Sequence, residues 1–193
     1  MATYKSIAYS PLSEGGSMVL LQEQTASGDS TISFTSGINS TYKEYVFRFI
    51  NLHPSANDST ISWQANASGE SGYNETITST SFRATHYESG SGGELAYLTA
   101  SDQAEGTAVQ TLSDSIGSDN DQSICGELTL YDPSSTTFVK HWAARISVTT
   151  HSDAMNDRHT AGYINTTGAI TEIQFTPSSG TIDAGTIKLY GVL

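Results

Sequence analysis

The chain has 193 residues, with 20 acidic against 8 basic side chains and a formal net charge of -12. That length suits one domain, able to bury roughly 70% of the surface its unfolded form exposes. The basic residues are scattered (Lys5, Lys43, Arg48, Arg83, Lys140, Arg145, Arg158, Lys188), which excludes a phosphate-tracking nucleic-acid surface and disfavours docking on an anionic membrane.

Only 15% of the residues are charged, while Ser, Thr and Gly are abundant, so few residues remain to build exposed helix faces. β-Branched and aromatic residues carry most of the apolar content, which favours strands joined by polar turns. In chain order, Met1 to Gly16 (MATYKSIAYSPLSEGG) lacks the basic and apolar regions of a secretory signal, and the expectation is synthesis in a host cytoplasm. Tyr4, Ile7 and Tyr9 are its contact candidates, and Pro11 with Gly15-Gly16 separates it from the rest of the chain. Residues 1–16 therefore read as a first edge strand or as an arm that joins a neighbouring chain, and residues 17–193 as one β-sandwich domain.

Alternation of period two then recurs. Over Tyr45 to Leu52, Tyr45, Phe47 and Phe49 share one face, and Val46, Arg48, Ile50 and Leu52 the other. Ile61, Trp63 and Ala65 alternate with Ser62 and Gln64, as in a half-buried strand. Tyr73, Tyr87 and Tyr97 lie near Gly-rich loops, where an amphipathic ring suits contact with a sugar or a neighbouring subunit. Ala100 to Ile116 reads as loop with one weak strand or helical turn. Phe138, Trp142, Ala144, Ile146 and Val148 share a face of the longest run, which places Trp142 between sheets with Phe47 or Phe49. Asn156-Asp157 reads as a turn. Later, Ile173 and Phe175 oppose Glu172 and Gln174, and Ile187 and Leu189 oppose Lys188 and Tyr190. Breakers at short intervals (Gly28-Asp29, His53-Pro54, Gly90 to Gly93, Asp132-Pro133, Pro177, Gly180) complete the signature of an all-β fold, a jelly-roll-like antiparallel β-sandwich.

Candidate chemistry is sparse. No Gly-x-Ser-x-Gly elbow is present, and Cys125, the only cysteine, lies in a strand-like run as a small buried apolar residue, so no intrachain disulfide forms. Asp119-Asn120-Asp121 imitates the start of a calcium loop, but Ile124 and Leu130 stand where an EF-hand needs Gly and Glu. An irregular site using Asp114, Asp119 and Asp121, and a zinc cluster of His151, Asp153, Asp157 and His159, are weaker readings than solvated loops. No enzyme activity, metal or cofactor is expected.

Longer segments carry a resemblance. Ile32 to Phe47 (ISFTSGINSTYKEYVF), Leu95 to Ser123 and Gly126 to Trp142 (GELTLYDPSSTTFVKHW) resemble structural proteins of marine tailed phages, including those of cyanobacteria. So do Ala161 to Phe175 and Ser178 to Val192, where a last strand closes on Leu-Tyr-Gly. The resemblance implies a virion protein of β-sandwich type, exposed on the capsid or tail and partnered by sister subunits and other virion proteins. Gly191 is expected to admit a close backbone neighbour. The alternative is a lectin-like module of a tail fibre that binds host surface glycan; a virion-borne glycan hydrolase ranks last.

Overall fold

The computed structural model describes residues 17–90 and 92–193, so the arm candidates Tyr4, Ile7 and Tyr9 lie outside the described residues. Among the described residues every regular element is a strand, and no helix is long and apolar enough to cross a membrane. The strands are β1 (Met18–Thr25), β2 (Ile32–Phe34), β3 (Glu44–Pro54), β4 (Ile61–Ala67), β5 (Ile77–Tyr87) and β6 (Gly93–Tyr97). They continue with β7 (Gln110–Thr111), β8 (Ile124–Tyr131), β9 (Lys140–Thr149), β10 (Ala154–Ile164), β11 (Ile170–Pro177) and β12 (Ile182–Val192). All pairings are antiparallel. They form one eight-stranded sheet, β1-β12-β3-β8-β9-β10-β5-β6, and one four-stranded sheet, β2-β11-β4-β7. The fold is the all-β sandwich that the alternation predicts.

The core lies between the sheets because each strand turns its apolar set inward. Phe47 and Phe49 of β3 meet Phe175 of β11 edge to face, with centroids 5.4 and 5.2 Å apart, and Phe34 of β2 adds a contact to Phe47 at 5.2 Å. Trp142 is buried as expected, but its ring partner is Trp63 of β4, at 5.1 Å and 83°, rather than Phe47 or Phe49. The four phenylalanines of β2, β3 and β11 adjoin the tryptophan pair, since Phe175 is the cross-strand partner of Trp63, and all six belong to one core cluster.

Several expectations are corrected, each by a local cause. Leu52 is buried with Phe49 instead of sharing the outer face with Ile50. A bulge lies between Phe49 and Leu52, where Asn51 takes φ 50°, and the extra residue reverses the faces beyond it. β4 is buried throughout, not half-buried, because loops cover its outer side: Gln64 Nε2 donates to the carbonyls of Glu75 (3.0 Å) and Ala108 (3.0 Å). Phe138 is exposed and precedes β9; Lys140 takes the first inward position instead and donates from Nζ to the carbonyls of Phe138 (2.8 Å) and Thr166 (3.1 Å). Burial pushes the Lys140 pKa down, opposed in part by Asp132 and Glu75. Asn156-Asp157 is mid-strand in β10; the turn lies at Thr150 to Asp153, where Asp153 takes φ 54°. Cys125 is exposed on the outer face beside the bulge, where Sγ accepts from the Asn51 N–H at 3.3 Å and donates to Asn51 Oδ1 at 3.2 Å.

The neighbour at Gly191 is the Tyr42 ring, not a backbone. Close backbone approaches occur instead at Gly126, Gly162 and Gly185; at Gly185 (φ 100°) a Cβ would overlap the Asn51 carbonyl opposite the bulge. Gly185→Ala is therefore expected to cost about 1–3 kcal/mol in denaturant unfolding. An unchanged unfolding midpoint would mean that β12 shifts freely past Asn51.

Candidate functional site

The eight-stranded sheet is wider than its partner, and this mismatch creates two surfaces on the half formed by β9, β10, β5 and β6. The first is the inner face. On β9 it is apolar, with Trp142, Ala144, Ile146 and Val148 all buried. On β10 and β5 it turns polar: Asn156, Arg158 and Thr160 on one strand, Ser81, Arg83 and Thr85 on the other. Opposite them lie β7 and its flanking loops, and hydrogen bonds between buried polar side chains replace apolar packing as the link between layers. Ser81 and Thr160 share a hydroxyl hydrogen bond of 2.9 Å. Ser79 Oγ donates to Gln110 Oε1 at 2.7 Å, and Gln110 Nε2 donates to the Ser101 carbonyl at 2.9 Å.

At the centre of this network is a charged triad. Arg83 Nη1 donates to Asp114 Oδ1 at 2.7 Å, and Arg158 Nη1 approaches the same oxygen at 3.5 Å while donating to the Ser113 carbonyl at 2.9 Å. Arg83 Nη2 also reaches Glu94 on β6 at 3.1 Å. Burial pulls the Arg158 pKa down, opposed by Asp114 and reinforced by Arg83. Arg83 is depressed by burial too, but its hydrogen bond and charge contact with Asp114, followed by Glu94, outweigh this and raise its pKa. The triad borders a cavity of about 310 Å³ that opens between the end of β5 and the Thr150–Asp153 turn, with Tyr87 and His151 among its walls.

The second surface is the outer face. Register places Phe82 beside Tyr97 and Ala84 beside Leu95, and all four are exposed, Leu95 to 78% and Tyr97 to 56%. Phe82 stacks on His159 of β10 with centroids 5.0 Å apart and an interplanar angle of 4°. β6 ends the eight-stranded sheet, so its second edge has no strand partner among the described residues.

The three tyrosines singled out by sequence are not brought together. Tyr87 lines the inner cavity, and Tyr97 lies on the outer face with its hydroxyl donating to Asp102 Oδ2 at 2.5 Å. Tyr73 is in the loop between β4 and β5, and its hydroxyl donates to Glu172 Oε2 of β11 at 2.9 Å; burial, then that hydrogen bond, raises its pKa. Of the metal candidates, His159 Nε2 lies 3.4 Å from Asp157 Oδ1, while His151 faces Asp58 at 3.6 Å instead. Asp114 is held by arginines, and the carbonyl of Asp119 lies 3.1 Å from His53 Nε2. Asp157 is clamped by Arg145 through two contacts of 2.9 Å, which first of all holds its carboxyl below its usual range. Among the described residues no group of three or more His, Cys, Asp or Glu side chains is placed to hold a metal. Arg83, Thr85, Asn156 and Arg158 were not legible as a site, although the unbroken polar alternation at Ser79, Ser81, Arg83 and Thr85 was the available signal. Comparison of the chain with protein-family models and with curated proteins finds no match.

Proposed function

We propose that this chain is a structural protein of a tailed-phage virion, exposed on the capsid or tail exterior, that works by assembly with sister subunits and other virion proteins. The observation that carries this reading is the outer patch of Phe82, Ala84, Leu95 and Tyr97 beside the edge of β6, which has no strand partner among the described residues. Proteins that act alone blunt a free sheet edge with charge, proline or a covering loop. Here the edge strand turns two large apolar side chains outward, which suits strand-to-strand or face-to-face packing with another subunit.

Two further features support it. The segments from Ile32 to Phe47 and from Gly126 to Trp142 resemble virion proteins of marine tailed phages. The strand order is compatible with a jelly roll, β1-β12-β3-β8 facing β2-β11-β4-β7, with β5-β6 and β9-β10 as hairpins added at one edge. Viral capsid and lectin domains share that architecture, so it narrows the class without choosing a member. In this reading the added hairpins extend one sheet beyond the sandwich and present the assembly surface.

Particles produced with a Leu95→Lys, Tyr97→Lys chain should lose the protein, while the isolated variant keeps its circular dichroism spectrum and melting temperature. Full occupancy of the variant in purified particles would remove this surface from assembly.

A further inference from the structure

β6 is an edge strand whose sequence matches itself when it is turned around. Its ladder with β5 pairs Gly93 with His86, Glu94 with Thr85, Leu95 with Ala84, Ala96 with Arg83 and Tyr97 with Phe82. One residue further on, the Leu98 N–H donates to the Ser81 carbonyl at 2.9 Å. Antiparallel pairs alternate between those that exchange backbone hydrogen bonds and those that do not. Leu98 therefore fixes the phase. Glu94 and Ala96 turn their backbone groups toward β5, and the N–H and C=O groups of Gly93, Leu95 and Tyr97 point the other way. On that side β6 has no strand partner among the described residues.

An edge that stays single is usually blunted by lysine, proline or a bulge. β6 (GELAY) has neither residue, and its register with β5 runs unshifted. A second copy of β6 fits this edge in antiparallel orientation with Leu95 opposite Leu95. In that register the outward-pointing groups of Gly93, Leu95 and Tyr97 all find partners. On the outer face each Tyr97 lies across from the other copy's Gly93, where no side chain competes with the ring. The two Leu95 side chains, otherwise 78% exposed, cover one another. On the inner face Glu94 meets Ala96 rather than its own copy. Other registers fit worse. A centre at Glu94 sets two carboxylates face to face, and a centre at Ala96 leaves Gly93 beyond the end of the partner strand. A chain of net charge -12 repels its copies, but the acid on this strand is already paired with Arg83 at 3.1 Å.

We propose that two copies of this chain join edge to edge through β6, antiparallel and centred on Leu95, so that their eight-stranded sheets run on into one. The proposal rests on the assembly reading and names the partner at that surface, a second copy.

Sedimentation of the full chain should show a monomer–dimer equilibrium that shifts with concentration. Cysteine trapping tests the register. The two-fold pairing sets residue 95 opposite itself at about 5.5 Å between Cα atoms, within disulfide reach, and keeps residue 97 about 14 Å along the strand from its own copy. In a Cys125→Ser chain under mild oxidation, Leu95→Cys should give a covalent dimer and Tyr97→Cys should not. Leu95→Pro removes an N–H that faces away from β5. It should leave the circular dichroism spectrum unchanged and weaken the dimer by about tenfold or more. A chain that stays monomeric, or a dimer trapped as readily by Tyr97→Cys as by Leu95→Cys, overturns the proposal. If that monomeric chain still loses its place in particles as Leu95→Lys, Tyr97→Lys, the assembly reading survives with a different partner. A dimer trapped at Leu95 while the lysine variant keeps full occupancy upholds the pairing and removes the assembly reading.

Discussion

Replacing Trp142 by alanine should lower stability by about 3–5 kcal/mol, the usual cost of emptying a large buried aromatic site. At about 2–4 °C per kcal/mol for a domain of this size, the melting temperature should fall by roughly 6–20 °C. The reason is geometric. Trp142 and Trp63 meet edge to face across the two sheets, so truncating either leaves a gap that neither sheet can close without moving the other. Both indole N–H groups are buried without a partner among the described residues, which separates packing from hydrogen bonding in the same experiment. Trp142→Phe deletes the unsatisfied donor and retains most of the ring, and should cost distinctly less than Trp142→Ala. An alanine variant that melts within about 3 °C of the parent would show that the sheets do not close on this pair.

Asp114→Ala should be comparably damaging for an electrostatic reason. Asp114 Oδ1 is shared by Arg83 and Arg158, and the Arg158 side chain is among the most buried in the protein. Removing one partner of a buried ion pair typically costs about 3–5 kcal/mol, because the remaining charge stays desolvated and uncompensated. Arg158 would retain the Ser113 carbonyl but no carboxylate within reach among the described residues. Combining Asp114→Leu with Arg158→Met removes both charges and should restore much of the loss. Guanidinium unfolding of the single and double variants measures the difference. A loss below about 1 kcal/mol for Asp114→Ala would mean that water reaches Arg158 freely.

Much of the core was legible because it follows strict alternation. Phe47 with Phe49, Ile173 with Phe175, and Ile187 with Leu189 each point inward as their spacing demands. Misreadings arose where a backbone irregularity or a distant loop intervened. Leu52 changes face because Asn51 adds a residue to β3, and nothing in the local composition announces that bulge. Ser62, Gln64 and Asn66 look like an outer face but are buried, because segments far along the chain fold over β4. Asn156-Asp157 carries turn residues, yet its neighbours pair on both sides, with β9 and β5, and that long ladder overrides local preference.

The cavity was hidden for a related reason. Arg83, Asp114 and Arg158 come from β5, the loop after β7 and β10, and their encounter depends on sheet order rather than on spacing in sequence. As a sequence pattern, Arg83 and Arg158 were two scattered cations, and Asp114 one acid among many in Ser-rich loops. The width of the eight-stranded sheet is what joins them. Beyond β9 the four-stranded sheet ends at the two-residue β7 among the described residues, and the inner face fills with polar side chains that hydrogen-bond one another.

On the proposed reading a tailed phage encodes the chain, and imaging intact particles of such a phage, at a resolution that traces the strands, tests that reading most directly. The sandwich should be found on the particle exterior, in a copy number set by the symmetry of the capsid or tail, with the β6 edge and Leu95 against a neighbouring subunit. Particles that lack the chain altogether, or carry it with that edge facing solvent in every copy, would contradict the account.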